Sequence, residues 1–290
     1  MARYSSSDSS GNIFAILVAG LAAALFAIIV MWPSGSNAPA GTAFVDTPLS
    51  EALNDPTTKT YLATLQRVKP NIARDLNRDA AVAIENGADQ NELALLLFEA
   101  YSEPDPEDFT DLVYADVKHF DGMVRKMEQG LKTMSRKAPQ FCTAKRFERY
   151  VGSSQETFMR EMSDQFGYGS GVYDWALEFS QMTLEAIESG RKSPKKYDRL
   201  TSQDQMTLQT TLMGMMSNPN VAKLMRVSGG SGAAQQQAIM NMNFCDLGTD
   251  LLAVASGLPG GLKTRLLGEL QHQTKDGNLE SMMRAAQSSF

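Results

Sequence analysis

Only two cysteines, Cys142 in APQFCTAKRF and Cys245 in MNFCDLGTDL, occur in a chain of 290 residues that carries 17 methionines and 2 histidines. Neither has a second thiol at C-x-x-C spacing, so a redox-active dithiol or a thiolate zinc site lacks its usual ligand pair. Two states remain: one disulfide between them, or two buried thiols packed as small hydrophobes. An oxidising compartment favours the disulfide. In the chain-entropy account, closing so long a loop contributes about 4–5 kcal/mol. The compartment therefore decides the chemistry of the cysteines.

Both histidines follow an acid by three positions, as Asp116-x-x-His119 and Glu269-x-x-His272. Carboxylate-bridged di-metal bundles use that spacing on two helices, with one further carboxylate from each of two others; Glu85 or Glu99 and Asp246 or Asp250 are the candidates for these. The helical wheel argues against it. Leu262, Leu266, Leu267 and Leu270 define the buried side of their helix, and His272 points about 145° away from its centre. No metal and no cofactor are expected. Asp116 falls instead near the middle of an apolar arc, which predicts a buried acid held by an ion pair or by a helix end. The alternative role for Asp116 is the acid of a membrane-anchored envelope enzyme.

Ser193-x-x-Lys196 has the spacing of a penicillin-binding nucleophile and base, but no S-D-N or K-T-G element accompanies it. Ser193 followed by Pro194 reads as an N-cap and first helical residue. The surrounding RKSPKKYDR holds Arg191, Lys192, Lys195, Lys196 and Arg199, a candidate contact patch for anionic lipid headgroups or an acidic partner. FGYGSGVYDW and VSGGSGAA are glycine-rich, yet neither has the spacing of a phosphate cradle. The first sets Tyr168, Tyr173 and Trp175 beside its glycines, a candidate aromatic contact surface.

The elements that must position these residues begin with a membrane anchor. Residues 13–32, IFAILVAGLAAALFAIIVMW, carry no charge. As a helix they span about 30 Å of hydrocarbon. The run exceeds a signal-peptide apolar core, and the nearby Ala38-Pro39-Ala40 has proline in the middle, so an uncleaved anchor is expected. Arg3 and the amino terminus precede it, and no lysine or arginine follows until Lys59. The positive-inside rule then places residues 1–12 in the cytoplasm and residues 33 onward outside it. Ala15, Ala19, Gly20, Ala23, Ala24 and Ala27 form a strip of small side chains against which a partner helix can pack.

A Gly, Ser, Pro and Ala tether over 33–47 leads into residues 48–290. With a net charge of −6, the chain does not advertise nucleic-acid binding. No alternating run joined by Asn-Gly or Asp-Gly turns is present, so the expected class is all-α: one N-terminal transmembrane helix followed by a multi-helix globular domain. Helices are expected over 57–68, 70–86, 89–102, 106–135, 139–151, 153–165, 171–190, 194–199, 202–217, 219–227, 232–256, 260–274 and 277–288. The helix over 106–135 is the most amphipathic: Phe109, Leu112, Val113, Phe120, Met123, Val124, Met127, Leu131 and Met134 share about 120° of arc. The helix over 232–256 is apolar on more than one face and is expected at the centre.

Together these features point to a bacterial inner-membrane protein, single-pass with its N-terminus cytoplasmic. Its periplasmic domain is expected to work as a binding or scaffold subunit of an envelope or membrane-protein assembly, or alternatively as a transient assembly factor. The expected partners are the bilayer and membrane proteins. No nucleic acid and no small-molecule substrate are indicated.

Overall fold

The structure is a computed structural model and describes residues 47–100, 106–143, 145, 167–222, 237 and 240–276. The apolar run over 13–32, its small-residue strip and the helices expected over 153–165 and 277–288 lie outside these residues. Among the described residues no helix is long and apolar enough to cross a membrane.

The described residues are mostly helical, with no strand among them; the one antiparallel bridge among them pairs Thr143 with Asn243. The ten helices described are α1 (Pro48–Ala52), α2 (Pro56–Val68), α3 (Pro70–Glu85), α4 (Gln90–Ala100), α5 (Pro106–Val113), α6 (Val117–Lys137), α7 (Gly171–Lys192), α8 (Ser202–Met215), α9 (Phe244–Gly257) and α10 (Gly260–Lys275), with a 3₁₀ turn at Pro139–Cys142 between α6 and α7. Side-chain caps set several starts. Thr47 and Ser50 form a reciprocal capping box on α1, the Asp55 carboxylate accepts from Thr58 N at 2.8 Å, and Ser170 Oγ accepts from Tyr173 N at 3.1 Å. Pro48, Pro56 and Pro70 occupy first helical positions, where a missing N–H is harmless.

The largest core runs from α1 to α7 and takes in Leu252, Leu267 and Leu270 from the C-terminal helices. α7 is its spine, packed against α2, α5 and α6. Tyr173 on α7 is fully buried, its ring edge-on to Phe98, and its hydroxyl lies 2.6 Å from Thr58 Oγ1, which in turn donates to Asp55. The aromatic surface expected around FGYGSGVYDW is therefore mostly interior. Trp175 is half-buried and donates its indole N–H to the carbonyl of Lys126 at 2.9 Å.

Three expected helices are corrected. The span 106–135 is two helices, α5 and α6, with an extended residue at Asp116 between them. Its apolar arc survives because both pieces bury their faces on α7. Residues 194–199 are not helical: the chain leaves α7 at Ser193 and runs as an irregular strap to Thr201. The span 232–256 is interrupted at 241–243, where Asn243 caps α9. α9 lies against α6, with Gly248 facing Leu131, and Leu252 joins the large core, while Leu247 and Val254 face a second cluster with Met215, Val221 and Met242. Phe244 and Leu251 remain 38% and 39% exposed, so α9 is sandwiched between two clusters rather than central as expected.

Candidate functional site

Asp116 is half-buried and accepts from Lys118 N at 3.1 Å as the N-cap of α6. It sits at a corner, not inside a helical stripe, and is half-buried rather than buried; of the two partners expected for it, an ion pair or a helix end, it has the helix end. Breaking the helix frees backbone groups that need partners, and the strap after α7 supplies them. Lys195 N donates to Tyr114 O at 2.8 Å; the Tyr197 hydroxyl accepts from Val117 N at 2.9 Å and donates to Ala115 O at 3.3 Å. Gln271 of α10, 7% exposed, completes the knot. Its amide donates to the carbonyls of Val113 and Lys195, both at 2.9 Å, and its side-chain oxygen accepts from Tyr197 N at 3.2 Å.

Two glycines let the backbones approach. A methyl group at Gly190 would overlap the carbonyl of Asp111, and one at Gly268 would overlap the carbonyl of Asp198. Neither Gln271 nor Gly268 stood out in the sequence, and Gly190 reads there as the end of the helix expected over 171–190, because a buried amide and a close-approach glycine leave no mark of their own in a helical pattern.

The basic residues of the strap are mostly engaged by the protein itself. Arg191 donates to Asp111 at 2.9 Å and to Val68 O at 3.3 Å, and it reaches Asp108, which also pairs with Lys69. Lys192 pairs with Glu188, and Arg199 holds Glu269 through two hydrogen bonds of 2.9 and 3.1 Å. Lys195 and Lys196 are exposed, and among the described residues no carboxylate lies within ion-pair reach of either. All five side chains of the candidate contact patch are exposed, three of them paired within the protein and two not.

Cys142 and Cys245 are buried, with their sulfurs at disulfide-bonding distance and their Cα atoms 5.2 Å apart. They tie the turn after α6 to the first turn of α9. A polar triplet lies beside them: Ser135 Oγ donates to Asp246 at 2.5 Å, and the Asn243 amide donates to the other oxygen of Asp246 at 2.7 Å. The Thr143–Asn243 bridge joins the same two segments, so covalent, backbone and side-chain links converge on one junction.

His272 lies 2.8 Å from Asp276 and is partly exposed, whereas burial and the neighbouring Lys118 push His119 below the ordinary imidazole range. Among the described residues no group of three or more His, Cys, Asp or Glu side chains is placed to hold a metal.

Three of the four described large apolar side chains that are more than half exposed lie on α8 and just after it, the fourth being Val82 on α3. Met206, Met213 and Met216 are 53%, 65% and 52% exposed. On the opposite side of α8, Asp204, Leu208 and Met215 are buried. Asp204 anchors the start of the helix: Arg265 donates to both of its oxygens at 2.6 Å, and the Thr201 hydroxyl donates at 2.6 Å. These donors hold its carboxyl well below the usual carboxylate range. Set against protein-family models, curated proteins and solved structures, the chain matches none of them.

Proposed function

We propose that this protein is a single-pass, membrane-anchored helical binding or scaffold subunit of an inner-membrane or envelope protein assembly, with residues 33–290 outside the cytoplasm. The Cys142–Cys245 pair carries the reading: two lone cysteines 103 residues apart are brought to bonding distance, which suits a compartment where thiols oxidise. The uncharged run over 13–32 supplies the anchor, and the strip from Ala15 to Ala27 supplies a face for a partner helix. The exposed methionines of α8 support a contact role for the domain.

The test is a reporter fused after Phe290 that is active only outside the cytoplasm, combined with affinity purification from mild detergent. Reporter activity and co-purified membrane proteins are expected. Gly20→Leu should reduce that recovery, because a bulky side chain blocks close helix approach. A C-terminus reachable only from the cytosol refutes the topology, and unchanged recovery with Gly20→Leu refutes the helix contact.

A further inference from the structure

We propose that Asn86 is a site of spontaneous covalent modification, converted through a cyclic imide into aspartate and isoaspartate, and that its conversion loosens the junction between α3 and α4. Asn86-Gly87 is the sole Asn-Gly step in the chain; every other asparagine is followed by a residue with a Cβ, which crowds the attacking nitrogen. The fold presents this step at the end of regular structure. α3 ends at Glu85, Asn86 is its C-cap, and Gly87 takes φ +84°. Both residues are exposed, and the side-chain amide of Asn86 has no hydrogen-bond partner among the described residues. No atom lies within 4 Å of where a Cβ on Gly87 would sit, so the five-membered ring has room to form. The Gly87 nitrogen is held by one hydrogen bond, to Ile84 O at 3.0 Å, in the last turn of the helix. Helix ends open at little free-energy cost.

The Gly87 nitrogen, its proton lost to hydroxide, attacks Cγ of Asn86; the new C–N bond displaces the side-chain nitrogen as ammonia, with no oxidant, metal or enzyme. Water then opens the ring at the side-chain carbonyl to give aspartate, or at the main-chain carbonyl to give isoaspartate. Either product adds a negative charge at the C-terminal end of α3, where the helix dipole disfavours it, close in sequence to Glu85 and Asp89. Isoaspartate also inserts a methylene into the main chain. The turn has little slack for it: Ala88 N donates back to Ala83 O at 2.9 Å, and the Asp89 carboxylate accepts from Asn91 N and Glu92 N at 2.8 and 2.9 Å to start α4. Asp121-Gly122 offers a comparison, because the same small follower there is wound inside α6 with Met182 against it. Nothing in this chemistry depends on the membrane topology.

The full chain in detergent is incubated at neutral and at mildly alkaline pH, beside the same chain unfolded in urea, and sampled by peptide mapping with mass spectrometry. In the folded protein the Asn86 peptide should gain the mass of water less ammonia, as aspartyl and isoaspartyl products, and faster at the higher pH. Asp121 should show no isoaspartate. Asn86→Gln should abolish conversion at this position, since the longer side chain must close a six-membered ring. The converted fraction, separated by anion exchange on its added charge, should melt at a lower temperature than the unconverted one. The site is refuted if Asn86 stays intact in the folded protein over the time in which the unfolded chain converts it, or if the other asparagines convert as fast. An unchanged melting temperature of the converted fraction refutes the loosening.

Discussion

Gln271 joins three segments through one buried amide, so its removal strands two carbonyls and an N–H that water reaches poorly. Gln271→Leu should cost about 2–3 kcal/mol, measured by urea denaturation, because unpaired buried polar groups carry their full desolvation penalty. Asp204 makes a prediction in pH. Its folded-state pKa is depressed by the Arg265 and Thr201 hydrogen bonds, so the stability it contributes is present above its unfolded value and lost as pH falls through its folded value. The Tm gap between wild type and Asp204→Asn should be widest near neutrality and should close as pH falls below about 4. A gap that does not change with pH would refute the assignment.

Helix starts marked by proline were legible in the sequence: α3 begins at Pro70 as read and α2 at Pro56, one residue before the expected start, because a local rule decides them. The pairing of Cys142 with Cys245 was legible by elimination among two thiols. The break at Asp116 was not, since the apolar phase of α5 continues into α6 and the wheel registers phase rather than continuity. What ends α5 is tertiary: the strap after α7 and the amide of Gln271 offer its last carbonyls better partners than another helical turn would. Pro194 misled for the same reason, because the carbonyl of Tyr114 draws Lys195 into an extended strap. Gly190 belongs to this contact. Gly190→Ala would force α7 away from the carbonyl of Asp111 and should lower stability by about 1–3 kcal/mol, with a matching fall in Tm.

At the scale of the whole molecule, the core among the described residues is uneven. One large cluster unites α1 to α7, whereas α8 rests on two small ones, Met215 with Val221, Met242 and Leu247, and Leu208 with Leu258 and Leu262. Opening free energy follows buried apolar contact, so backbone amides of α8 should exchange with deuterium faster than those of α6 and α7; equal protection would contradict this. The bond between Cys142 and Cys245 has a further consequence for the chain as a polymer. Any single cut made by a protease between those positions yields two fragments that stay covalently joined. Such a nicked protein should migrate as one band in gel electrophoresis until a reducing agent is added and then split in two, whereas a nick outside that stretch should release a piece at once.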